Sequence, residues 1–273
     1  MMEGFIKTLL LIILCIIFLI ALVATPFVLK AKEEGERMVA AYQKATEEVF
    51  SKEGVELQSV MVKPEFQLIN PPKALKLIKM IPSRARTEKF STITSMDATM
   101  FRFMKMYTLL LAPKVGYNFP MLSFDVVSVG KNRVFVIEVI DPAHVPADYI
   151  TSAYEKMKAL KEKVKDLPDK PPDMPWAKEM TMPFSIHTKA DRSKEEFFRD
   201  LFREYLTVYL EMVKNAPQLA DEEESKKVQE GIKTYVNTLL EKGGPAVNVF
   251  KFLLGPEKQK EFTKGIMFGI EEW

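Results

Sequence analysis

The sequence has little with which to hold a metal or cross-link itself: one cysteine, Cys15, and two histidines, His144 and His187. A single thiol excludes an internal disulfide framework and a thiolate cluster. Two imidazoles are too few for a multi-histidine metal centre. Also absent are a glycine-rich phosphate loop, a dinucleotide fingerprint, a nucleophile elbow and a paired-histidine motif, so the common nucleotide and hydrolase chemistries have no signature here. Formal net charge is +2, and a chain with so small an excess of cations gives no reason to expect nucleic acid.

What the chain has in abundance is an apolar run. No charged residue stands between Lys7 and Lys30. A helix crosses the hydrocarbon core with roughly 20 apolar residues at about 1.5 Å each, and residues 8–29 meet that length. A cleaved signal peptide is the competing reading, but its apolar core is usually only about 7–15 residues long. The expectation is therefore a single-pass membrane protein, with a transmembrane anchor in residues 1–30 and a domain in residues 31–273. Lys30, Lys32 and Arg37 follow the run while Lys7 precedes it, a bias that puts the domain on the cytoplasmic side.

After the run the pattern alternates between two periods. Residues 34–51 carry apolar side chains at helical spacing. Residues 55–63, 87–95, 100–111, 122–129 and 133–140 alternate apolar and polar and read as strands, the last two joined by a hairpin turn at Gly130-Lys131-Asn132-Arg133. Residues 148–165 read as a helix, 166–175 as a proline-rich loop and 181–188 as one more strand. Two amphipathic helices follow, one with the stripe Phe198, Leu201, Phe202, Tyr205, Tyr209 and Met212, the other with Val228, Ile232, Tyr235 and Leu239. Two more begin at Pro245 and Pro256. The order is that of an α/β (α+β) layered domain built on an antiparallel sheet.

Three groups of residues invite a chemical reading. A two- or four-residue turn centred on Lys131 and Asn132 sets Asp125 directly across from Glu138, where, if that face is covered, burial and like charge would raise the pKa of at least one carboxyl. A three-residue loop or a bulge would shift the register, and the alternative is a solvated Glu138 at the sheet end with Asp125 hydrogen-bonded to a neighbouring strand or loop. Lys73, Lys76, Lys79, Arg84, Arg86 and Lys89 form the densest basic stretch, suited to an acidic partner, ligand carboxylates or anionic lipid. His187 falls in a strand, where a structural role is the default, and His144 falls in a loop.

Several motifs then occur in a recognisable order: Ala112-Pro113, Tyr117-Asn118-Phe119-Pro120, Phe124-Asp125, Asp141-Pro142, Pro175-Trp176 ahead of Phe184-Ser185, Tyr205-Leu206 with Tyr209, Leu254-Gly255 and Met267-Phe268. Together they resemble the ferredoxin-dependent bilin reductases over most of residues 50–273. The resemblance implies a three-layer α/β/α sandwich around a central antiparallel sheet, with a pocket between the sheet and the C-terminal helices. Asp125 takes the place of the family's catalytic aspartate, and Glu138 is a local addition to it. The substrate implied is an open-chain tetrapyrrole, reduced without a tightly bound cofactor by electrons from ferredoxin or flavodoxin. An acidic donor of this kind would dock on Lys73, Lys76, Lys79, Arg84 and Arg86. Thr108, His187 and Lys189 are expected to contact the ligand, Lys189 lying near the arginine that meets ligand propionates. Two departures stand out. Thr108 occupies the position of a histidine in phycocyanobilin-forming members, and Gly243-Gly244 replaces an aspartate found in several members. The red chlorophyll catabolite reductases share the fold and also lack that histidine. The departures leave open a non-catalytic binder of a tetrapyrrole or another hydrophobic ligand.

Overall fold

A computed structural model of the chain describes residues 2–71, 77–101 and 103–270, with side chains from residue 26 onward. Helix α1 (Met2–Lys52) runs without a break. Seven strands follow in a simple meander: β1 (Gln58–Val60), β2 (Ile78–Arg86), β3 (Phe90–Met100), β4 (Met104–Pro113), β5 (Met121–Val129), β6 (Asn132–Ile140) and β7 (Ile186–Asp191). Each pairs antiparallel with its neighbours in chain order. Helix α2 (Asp148–Glu162) lies between β6 and β7, and α3 (Glu195–Asn215), α4 (Glu222–Lys242), α5 (Pro245–Leu254) and α6 (Pro256–Glu261) follow β7.

Alternation along the strands divides the interior into two cores. On one face Tyr107, Leu109, Phe124, Val126, Phe135 and Ile137 are buried beneath α1, α2 and α3. Phe124 is the hub: its ring centroid lies 5.4 Å from Tyr42 of α1, 4.2 Å from Phe202 of α3 and 5.5 Å from Phe135 of β6. Burying an aromatic side chain of this size contributes about 1.5–3 kcal/mol, so this cluster anchors α1 and α3 to mid-sheet. On the other face Met80, Met96, Leu110 and Met121 pack against α4, α5 and a terminal π-turn, Phe262–Met267. Thr94 of β3 donates to the Ile266 carbonyl of that turn at 2.6 Å. The result is the expected α/β/α sandwich.

Sequence periodicity misplaces the first half of the sheet. The strand read at residues 55–63 shrinks to the three residues of β1, and β2 falls in the stretch read only as a basic cluster. Pro82 and the cations hide it. Met80 N–H points outward to the Ile69 carbonyl at 3.0 Å, and Pro82, two residues on, faces the same way. β1 reaches back only as far as Arg84, so the missing N–H of Pro82 falls at an unpaired stretch of edge.

The single-pass membrane assignment is corrected. Among the described residues no helix is long and apolar enough to cross a membrane. The described part of α1 carries Lys30, Lys32, Glu33, Glu34, Glu36 and Arg37 within two turns, and from Met38 its apolar stripe is buried in the first core. Of the run at residues 8–29, the side chains as far as residue 25 lie outside the described residues, as do Lys73 and Lys76.

Close approach of α1 to the sheet depends on Gly35. A Cβ there would stand 2.6 Å from Lys105 Cγ and 2.8 Å from Lys105 Cβ. Lys105 is held in place from below, donating from Nζ to Asp97 Oδ1 at 2.6 Å and Thr99 Oγ1 at 3.0 Å. Alanine favours a helix over glycine by about 1 kcal/mol, but overpacking costs about 1–3 kcal/mol. Gly35→Ala is therefore expected to lower stability in urea unfolding, and a variant at least as stable as the parent would show that α1 does not rest on Lys105.

Candidate active site

The face beneath the C-terminal helices is incompletely covered. Ser123, Asp125 and Val127 of β5 and Val134, Val136 and Glu138 of β6 are only half-buried, whereas the alternating residues that face the first core are sealed. Pairing aligns one row of side chains across this open face: Met96 beside Thr108, Thr108 beside Asp125, Asp125 beside Val136, and Val136 beside His187.

The register of β5 and β6 differs from the expected one. The turn is the two-residue step Gly130-Lys131, with Gly130 at φ +57°, and Val129 pairs with Asn132. A positive φ at this place is what a tight hairpin requires and what glycine permits. Asp125 therefore faces Val136, and Glu138 faces Ser123. Because the shift is by two residues, both carboxyls remain on one face and become diagonal neighbours, a relation that puts Cα atoms about 7–8 Å apart.

Thr108 donates from Oγ1 to Asp125 Oδ1 at 2.5 Å. Loss of hydration on burial, and to a lesser degree the charge of Glu138, push the Asp125 carboxyl up to about 6, while the Thr108 hydrogen bond opposes them. Glu138 turns the other way, its Oε1 2.9 Å from His187 Nε2. The His187 side chain is 8% exposed and that of Glu138 17%. Tyr235 of α4 is close enough to this pair to feel the charge of Glu138. Burial, and secondarily the charge of Glu138, hold its phenol well above the usual range. Its ring lies 5.7 Å from Trp176 and 6.0 Å from Phe268. Lys189, exposed on the same face, lies one step along β7 from His187. Thus the row brings together Thr108, Asp125 and His187, with Glu138 and Lys189 beside it. The stripe containing Tyr235 marked α4 as amphipathic in the sequence, but nothing there singled out Tyr235 as a neighbour of Glu138.

Other expected residues are placed elsewhere. Arg84 is buried and donates from Nε to Thr92 Oγ1 at 3.1 Å, which removes it from a docking surface, whereas Lys79 and Arg86 are exposed. Lys89 is engaged as a helix cap: its ammonium donates to the carbonyls of Val213, Lys214 and Ala216 at the end of α3. His144 is in a loop, with Nε2 2.8 Å from the Glu179 carbonyl. At the junction of α4 and α5, Gly243 has φ +84°, and a Cβ there would stand 2.8 Å from Asn248 Oδ1. A Cβ on Gly244 would lie 3.0 Å from Leu239 Cδ1. The positive φ of Gly243 disfavours any side chain at that position. Among the described residues no three His, Cys, Asp or Glu side chains converge on a metal position.

The family model for ferredoxin-dependent bilin reductases matches residues 45–269. The phycoerythrobilin:ferredoxin oxidoreductase of Synechococcus sp. (strain RCC307) is 22% identical over 229 residues, 80% of this chain and 87% of that protein. The crystal structure of phytochromobilin synthase from tomato in complex with biliverdin superposes with a TM-score of 0.70 at 15% identity, covering 85% of this chain and 84% of that one. At this identity the superposition speaks for the fold.

A sign follows for stability. The folded chain retains the Asp125 proton up to about pH 6, against an ordinary 3.8. Between those values the folded state binds more protons than the unfolded state, so stability from this group is full below the lower value and is lost as pH rises through the upper. Asp125→Asn removes the buried charge. Its melting temperature relative to the parent is expected to rise from pH 4 to pH 7, and a difference independent of pH would refute the desolvated carboxyl.

Proposed function

Because this chain belongs to the ferredoxin-dependent bilin reductase family, an oxidoreductase family using ferredoxin electrons and no tightly bound cofactor, we propose that Asp125 protonates an open-chain tetrapyrrole bound between the sheet and α4. Ferredoxin-dependent bilin reduction is the activity of the family. The role of the carboxyl is our reading, and the observation that carries it is a half-open aspartate held by Thr108 on one oxygen.

Ferredoxin delivers electrons singly, and two electrons with two protons convert the bilin to a dihydrobilin while two ferredoxins are oxidised. The ligand's own conjugated system accepts the electrons. Each electron makes the ligand more basic, and a proton must then be available at a fixed place. Asp125 supplies it. With Oδ1 occupied by the Thr108 hydroxyl, the acid proton belongs on Oδ2. A pKa of about 6 lies close enough to neutrality for the group both to give up a proton and to regain one. Thr108 keeps that pKa from rising further. Glu138 adds negative charge beside it, Lys189 is placed to meet a ligand carboxylate, and His187 lies at the end of the row. The exposed cations Lys79 and Arg86 of β2 offer a docking edge to an acidic ferredoxin, with Lys73 and Lys76 in the adjoining sequence.

The test is an absorption titration of the full chain with biliverdin, followed by reduced ferredoxin. The parent is expected to bind and then reduce the bilin. Asp125→Asn is expected to bind with similar affinity and turn over about 100-fold or more slowly, in the range of general acid catalysis. Undiminished turnover in that variant would refute the role. Binding without reduction in the parent would favour the non-catalytic carrier, to which the missing acid at Gly243-Gly244 also points.

Thr108→Val provides an independent check. Without the hydroxyl donor the Asp125 pKa rises, so the alkaline fall of the pH–rate profile, expected near pH 6 in the parent, should move to higher pH. A shift to lower pH, or none, would show that the hydroxyl does not stabilise the carboxylate.

A further inference from the structure

One proton of each reduction is assigned to Asp125, and two are consumed. The remaining titratable pair on the same face is Glu138 with His187. Val136 separates them from Asp125: it faces Asp125 on β5 and His187 on β7, so the two groups stand two strands apart, about 10 Å. A ligand lying along the row would meet one at each end. Glu138 is the diagonal neighbour of both, and its Oε1 is 2.9 Å from His187 Nε2. The imidazole is buried more deeply than its partner, so Glu138 is the member in contact with solvent and His187 the member within.

We infer that His187, oriented by Glu138, is a second proton station of this pocket, supplying the proton that Asp125 does not. This rests on the proposed bilin reduction. In the step, the imidazolium N–H bond breaks as a new C–H or N–H bond forms on the ligand, while the electrons come from ferredoxin. The neutral imidazole then regains a proton from water through the cleft at Glu138. The carboxylate bonds to Nε2 and so fixes the orientation of the ring, leaving Nδ1 as the second nitrogen for exchange. Glu138 is thus a positioning residue, and its charge also reaches Asp125 and Tyr235.

His187→Gln retains a hydrogen-bonding side chain for Glu138 but has no proton to give at neutral pH. In stopped-flow absorption with biliverdin and stepwise reduced ferredoxin, this variant is expected to bind bilin within about twofold of the parent. It should then accumulate a partly reduced bilin absent from the parent, forming final product at least tenfold more slowly. Added imidazole should restore the second phase. Glu138→Gln should show the same intermediate, without rescue by imidazole. If His187→Gln forms product at the parental rate with no intermediate, the station is refuted while bilin reduction stands. Loss of bilin binding in both variants would also overturn it, by making the pair a ligand contact. If the parent binds biliverdin but does not reduce it, the proposed function fails and the inference with it.

Discussion

The architecture rests on β5 being enclosed from both sides. Its consecutive residues Phe124 and Asp125 point into different layers, one to the aromatic hub beneath α1 and α3, the other to the half-open face on the side of the C-terminal helices. Packing around Phe124 fixes the position of the strand and of its neighbours β4 and β6. The acid on the opposite face inherits that rigidity. A carboxyl on a loop would have to be immobilised by its own contacts, whereas here immobilisation comes from the ladder and a hydrophobic core that takes no part in the chemistry.

Enclosure also sets the electrostatics. Desolvation disfavours the Asp125 carboxylate, Glu138 disfavours it further, and one hydroxyl, that of Thr108, works in the other direction. The opposing influences all come from residues on β4, β5 and β6, whose spacing is dictated by hydrogen bonding between strands. The same ladder connects Glu138 to His187 across the next pair of strands. The electrostatics of this face are therefore written into sheet register, and a slip of one residue between β5 and β6 would send one of the two carboxyls into the opposite core.

Much of this was legible in the sequence. Long elements with clear periodicity, including α2 to α5, β5 and β6, emerge from spacing, and the order of Tyr117-Asn118-Phe119-Pro120 and Phe124-Asp125 points to the family and to Asp125. Two places were not legible for physical reasons. β2 contains Pro82 and several cations, and only the three-dimensional edge shows why a proline is accepted there. The Asp125–Glu138 relation depended on turn length, which Gly130 and Lys131 determine through a left-handed residue that periodicity does not register. The apolar run at residues 8–29 illustrates a further limit. Hydropathy measures how well a segment tolerates lipid, and a helix that continues into a charged stretch and then into a core answers to more than one environment.

The junction at Gly243 and Gly244 limits which side chains the chain can carry there. With Gly243 in a left-handed conformation, a single substitution to an acid there is strained before it is useful, whereas at Gly244 a Cβ would most closely meet the flexible end of the Leu239 side chain, 3.0 Å from Cδ1. Changes of charge are accommodated more easily on the strands, where β6 and β7 already set Glu138, His187 and Lys189 on one half-open face.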